Sequence, residues 1–165
     1  MPQRAFSLIE IIIYLAILGL VVVGFGTYVL SISSSRQKTD VVVKVQANAR
    51  ISLDTIAQKI RAARSINIGS SVFNTDPGVL SLAMSDASKN PTIINLDRDN
   101  GILQVQEGAG SPAAVTSKEV AITNLVFTNI ATPGVRSNIR IQITVEYPGS
   151  SGYSQSLESN VSLRQ

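Results

Sequence analysis

FSLIEIIIYLAILGLVVVGFGTYVL, Phe6 to Leu30, is the stretch on which the reading of this chain turns. It carries a single charged residue, Glu10, close to its start. A bilayer core of about 30 Å needs roughly 20 helical residues at about 1.5 Å each, and Ile11 to Leu30 supply them. Arg4 followed by an apolar run has the outline of a secretory signal, but such a signal has an apolar region of only about 7 to 15 residues. This run is longer, holds a carboxylate near its beginning, and is followed by Ser31-Ile32-Ser33-Ser34-Ser35, which offers no A-x-A-like cleavage site. The stretch therefore reads as a membrane-spanning helix.

Outside it, a chain of 165 residues in all leaves room for one small globular domain. Charged residues make up 15% of the chain and aromatics 5%, against roughly 25% charged in an average soluble protein, so the polar content is mostly uncharged. Such a surface suits an exported domain. The chain has no cysteine and no histidine. Disulfides, thiolate nucleophiles, Ser-His-Asp and Cys-His arrangements and zinc sites built on Cys or His are thereby excluded. The net charge of +3 is concentrated in residues 36–64, where Arg36, Lys38, Lys44, Arg50, Lys59, Arg61 and Arg64 face only Asp40 and Asp54. From residue 65 onward the balance is mildly acidic.

Beyond the Ser-rich stretch, Val45, Ala49, Leu53, Ile56, Ile60 and Ala63 recur at steps of three and four, the mark of one apolar stripe along a helix. No Gly or Pro interrupts residues 27 to 68. One helix from about Phe6 to about Ile66, near 90 Å at about 1.5 Å per residue, is predicted, half in the membrane and half laid on a domain. The remainder alternates like strands. Val79 to Met84, Thr92 to Leu96, Ile102 to Gln106, Val120 to Ile122, Leu125 to Ile130, Ile139 to Tyr147 and Ser156 to Leu163 are the predicted strands. Asp97-Arg98-Asp99-Asn100-Gly101 and Gly149-Ser150-Ser151-Gly152 supply turns. The fold class is α+β: a long N-terminal helix, membrane half plus amphipathic half, packed on a mostly antiparallel sheet with one half-buried face.

Glu10 has a cost near the edge of a membrane helix, so a partner or a purpose is expected. Its neighbours, Arg4-Ala5-Phe6-Ser7-Leu8-Ile9-Glu10, resemble the prepilin cleavage and methylation motif of type IV pilins and type II secretion pseudopilins. Ala5 stands where the family usually has Gly, and Ser7 where it has Thr. The resemblance implies a leader of residues 1–5, cut between Ala5 and Phe6 by a prepilin peptidase that then methylates the Phe6 amine. It implies an assembly helix over 6–35 and an exported domain over 36–165, the ladle shape of pilins. Glu10 would pair with the amine of a neighbouring subunit in a filament. Sister pilins or pseudopilins and an inner-membrane assembly platform are the implied partners, the bacterial cytoplasmic membrane the implied site, with the N-terminus inside. Lys and Arg counted on the two sides of the span favour the reverse orientation, since Arg36, Lys38 and Lys44 outnumber Arg4. Thr27 occupies a position where many major pilins have a kinking Pro, and Gly24 and Gly26 beside it read either as a local loosening or as a site of close helix packing.

Arg50 to Ile66, the hairpin closed by Gly101-Ile102-Leu103, the pattern of Val120 to Phe127, and Val161-Ser162-Leu163-Arg164 are similar to J-type minor pseudopilins and related minor pilins. Such a subunit acts at the tip or in the initiation of a filament. The alternative is a minor pilin gripping DNA or a surface through its basic helix, but between Phe25 and Phe73 the sole aromatic residue is Tyr28, in the membrane segment, which leaves none in the basic stretch to stack on bases. Asp97, Asp99 and Gly101 have the spacing that opens a calcium loop, yet Gly108 stands where the closing Glu would be, so they read as a turn. No catalytic residue, metal site or cofactor is expected, nor a nucleic-acid partner.

Overall fold

The computed structural model describes residues 8–130, 138–149 and 152–163. A helix, α1, runs Leu8–Ala62, and it belongs to two compact units, Met1–Asp40 and Val41–Gln165. The described part of the first, residues 8–40, is the apolar part of α1 and the Ser-rich stretch, and it is helical. Among the described residues the second holds the rest of α1 and eight strands: β1 (Ala63–Ile66), β2 (Leu80–Met84), β3 (Thr92–Asp97), β4 (Ile102–Glu107), β5 (Ala113–Ala114), β6 (Ala121–Asn129), β7 (Asn138–Glu146) and β8 (Ser154–Ser162).

The predicted stripe is the helical side of the core. Val45, Ala49, Ile56 and Ile60 are fully buried, Ala63 nearly so, and Leu53 packs half-buried against them. Ser52 lies in the same stripe, and its hydroxyl donates to the Asn48 carbonyl at 2.7 Å, so no polar atom is stranded. The strands cover this face. Ile139, Ile141, Ile143 and Val145 of β7 point inward with Leu125 and Phe127 of β6, while their alternates are half-buried or exposed.

The α+β class stands, and every strand pairing is antiparallel. Three details depart from the expectation. The strands divide into a five-stranded sheet, β1 to β5 in order, and a three-stranded sheet, β6 to β8 in order. Residues 63–66 are not the end of the helix but β1, with Ala63 opposite Met84 and Ile66 opposite Leu82, and the Asn67 amide donates to the Ser81 carbonyl at 2.9 Å. Pairing with the free edge of β2 outweighs the helix preference of Ala-Arg-Ser-Ile, since tertiary context overrides propensity. The segments 120–122 and 125–130 merge into β6 across an irregularity between Ile122 and Asn124.

The two sheets are joined at the turn read from Asp97 to Gly101. Asp97 pairs with Ile102, its carboxylate accepts from the Asn100 and Gln104 amides at 2.8 and 3.2 Å, and Gly101 has φ +64°. The Gly101 carbonyl then accepts the Ile122 N–H of β6 at 2.8 Å. Residues 74–78 close the rest of that edge: Asn74 and Gly78 donate to the carbonyls of Phe127 and Leu125, and the Asp76 carboxylate takes the Leu125 N–H at 2.9 Å while pairing with Arg98. Of the expected turn at residues 149–152, residues 150 and 151 lie outside the described residues, as does Arg164; Gly152 donates to the Gly149 carbonyl at 3.2 Å.

Candidate functional site

The apolar part of α1 is the candidate site. Leu8–Tyr28 has a mean hydropathy of 2.7, and none of it is buried within the chain. Leu8 and Leu20 are each 77% exposed, and Ile12, Leu15, Leu18, Val22 and Phe25 are exposed too. At about 100° per residue these positions surround the helix, so the surface is apolar all round and not a one-sided stripe. In water such a surface is strongly unfavourable, at about 25 cal/mol per Å² of apolar area. By length and composition the segment is able to cross a membrane.

Polar groups within it are few and placed. Glu10 is half-buried in the first turn of α1, where a negative charge opposes the positive end of the helix dipole. Thr27 donates its hydroxyl to the carbonyls of Gly24 at 2.9 Å and Val23 at 3.3 Å, which removes the need for any outside partner in an apolar setting. The helix shows no loosening at Gly24 or Gly26: both are helical. A Cβ at Gly19, Gly24 or Gly26 would meet nothing within 4 Å, so these glycines do not serve packing within the chain. Ala5 and Phe6, the expected cleavage pair, and Arg4 and Ser7 beside them lie outside the described residues.

The basic stretch that follows is partly neutralised inside the second unit. Lys44 Nζ lies 2.9 Å from Glu119 Oε1, and Lys59 pairs with Glu107 on β4. That contact, through its hydrogen bond and then its charge, holds the Glu107 carboxyl below the usual glutamate range. Sequence reasoning did not find these pairs, since each joins residues far apart in the chain and no local spacing announces it. Arg50, Arg61 and Arg64 remain exposed. Among the described residues no group of three His, Cys, Asp or Glu side chains is arranged to hold a metal ion.

Compared with known families, residues 1–26 match the model of the prokaryotic N-terminal methylation motif. That match covers Ala5, Phe6 and Glu10 and supports a type IV pilin-like filament subunit that a prepilin peptidase processes and that is anchored in a membrane. No curated protein and no solved structure matches the chain.

Proposed function

We propose that this chain is a structural subunit, of the minor pseudopilin or minor pilin kind, of a type II secretion or type IV pilus filament. The observation that carries the reading is the conjunction of a methylation motif over residues 1–26 with a helix apolar on every side and a lone carboxylate, Glu10, in its first turn. On this reading cleavage falls between Ala5 and Phe6, and the Phe6 amine is methylated and keeps its charge. Amine and carboxylate then stand about 6 Å apart along the helix axis, near one membrane depth. When helices of sister subunits stack side by side, the Glu10 of one neutralises the amine of the next, and two charges enter the apolar bundle as a pair. The N-terminus lies in the cytoplasm and the domain from residue 36 outside the membrane. The similarity of Arg50 to Ile66 and of the hairpin at Gly101 to J-type minor pseudopilins supports a place at the tip or in initiation.

Intact mass of the protein from cells containing a prepilin peptidase tests the reading: loss of residues 1–5 and gain of one methyl group are expected, and retention of Met1 to Ala5 would overturn it. Glu10→Gln, made alongside, leaves insertion unimpaired but lowers incorporation with sister subunits. The stranded amine costs on the order of 3 to 5 kcal/mol if the pair is buried. Equal incorporation of Glu10→Gln and wild type would make Glu10 a solvated interfacial residue instead.

A further inference from the structure

The two edges of the three-stranded sheet differ. In an antiparallel ladder, residue pairs that exchange hydrogen bonds alternate with pairs that do not. The Tyr147 N–H donates to the Tyr153 carbonyl at 2.9 Å, and this sets the phase for β8: Gln155, Leu157, Ser159 and Val161 bond to β7. Ser154, Ser156, Glu158, Asn160 and Ser162 therefore direct both N–H and C=O away from β7. The same phase on β6 directs Leu125 and Phe127 away from β7, and there the Leu125 N–H and the Leu125 and Phe127 carbonyls are met by Asp76, Gly78 and Asn74. On β8, no backbone hydrogen bond among the described residues reaches the outer edge.

This edge lacks the usual protections. It is nine residues long, with no Pro, no Lys and no bulge. Its one charge, Glu158, lies 3.0 Å from Arg140 and accepts from Gln142 at 3.1 Å. The other sheet ends in a two-residue strand and in a four-residue strand with an irregular register. Cover is also incomplete on the core side of β8, where Leu157 packs only half-buried on the core; beside it, Gln155 Oε1 is buried with no hydrogen-bond partner among the described residues.

We propose that β8 accepts one extended segment of a different subunit, which adds as a fourth strand beside it. The segment alternates, with apolar side chains beside Leu157 and Val161 and polar ones beside the exposed row. A second copy fits poorly. Its β6 edge is sealed and its β1 and β5 edges are short, and β8 against β8 centred on the middle of the strand sets Glu158 opposite Glu158. One open edge and one sealed edge let a strand join without propagating through further copies of this chain. This rests on the filament-subunit reading and deepens it, since a subunit that takes one unlike partner suits a tip.

The test uses the full chain in detergent and a fluorescent, end-blocked peptide of sequence NIRIQITVE, the β7 sequence Asn138–Glu146, which already matches the alternation of β8. A scrambled peptide is the control. Saturable binding is expected, weakened at least tenfold by Ser156→Pro and by Asn160→Pro, each of which removes an outward N–H while leaving the β7 ladder intact. In the wild type, needing no variant, amide exchange at Ser156, Glu158 and Asn160 is fast in the free chain and slows with peptide, while Leu157 and Ser159 are slow throughout. Absence of saturable binding, equal binding by the scrambled peptide, or slow exchange at the three amides without peptide would overturn the proposal. Dimers of the chain alone that both proline variants abolish would overturn it in favour of a second copy. Leader cleavage is scored separately by mass, so a processed chain that ignores the peptide sinks the edge proposal alone, and an unprocessed chain that binds it sinks only the filament reading.

Discussion

Gly101→Ala isolates how the two sheets are held together. A Cβ at Gly101 would lie 2.8 Å from Ala121 Cβ and 3.0 Å from Ala121 Cα, and the residue has φ +64°. Two costs follow: the left-handed conformation of a residue with a side chain, about 1 to 2 kcal/mol, and overpacking against β6, typically about 1 to 3 kcal/mol. Gly152 separates them, because it has φ +53° and a Cβ there would meet nothing within 4 Å. Gly152→Ala should therefore cost only the conformational part, about 1 to 2 kcal/mol, and Gly101→Ala about 2 to 5 kcal/mol. With a urea slope of about 2 kcal/mol per M, the midpoint falls by about 0.5 to 1 M for the first and about 1 to 2.5 M for the second. Urea unfolding of the full chain in mild detergent, followed by circular dichroism of the strands, gives both. Ala121→Gly in the Gly101→Ala background removes the closer contact, so the double variant should lose less than the sum of the single losses. Equal, small losses at the two glycines, or strict additivity of the pair, would refute the claim that Ala121 is the obstacle.

Ile56→Ala, at a fully buried position of α1, should cost about 2 to 5 kcal/mol, whereas Ile51→Ala, 50% exposed on the same helix, should cost well under half of that; the same urea measurement decides. Because the Lys59 contact depresses the folded-state pKa of Glu107, this pair stabilises the domain above the ordinary glutamate range, and that contribution is lost as pH falls through the lower folded value. Glu107→Gln should lower stability at neutral pH and flatten the acid side of the stability profile, and an unchanged profile would remove the pair from the account. Deleting residues 1–34 should leave a soluble monomer with a cooperative melt, since the stripe from Val45 to Ala63 is covered by strands of its own unit; an aggregated or molten product would contradict this.

The features legible in the sequence were those with local periodicity. The stripe through Val45, Ala49, Ile56 and Ile60 and the alternation of Ile139, Ile141, Ile143 and Val145 each express one buried face, and burial follows both. What sequence could not give was set by distant neighbours. Ala63 to Ile66 continue the apolar spacing of the helix, and only the presence of β2 converts them to a strand. Asp76 joins three elements, the segment 74–78, the β3–β4 turn through Arg98 and β6 through the Leu125 amide, yet in the sequence it stands simply before a Pro-Gly pair. The division into two sheets follows from such junctions and not from any strand's own pattern. At the candidate site the motif around Glu10 was readable because its chemistry is local, one charge in a long apolar run.

The two units of α1 belong to different solvents, and this decides which substitutions bear on which property. Between Val45 and Ala63 the helix has an apolar stripe whose partners are strands of the same chain, so changes there act on folding. Between Leu8 and Tyr28 the apolar surface goes all round and none of it is buried among the described residues, so changes there act on insertion and association. In lipid an apolar side chain is no driving force for association, because lipid tails satisfy it as well as a neighbouring helix does. What remains to select a partner is close approach at small residues and the pairing of buried polar groups. Thr27 has spent its hydroxyl on Gly24 and Val23, and no Cβ-sized neighbour fills the space beside Gly19, Gly24 or Gly26. Glu10 is then the one charged group in the segment through which one subunit can distinguish another, and a carboxylate recognises a cation better than any neutral group. On the proposed reading cleavage creates that cation at Phe6, which makes processing the step that licenses assembly: the uncut chain has no free amine at that depth for a neighbour's Glu10 to meet.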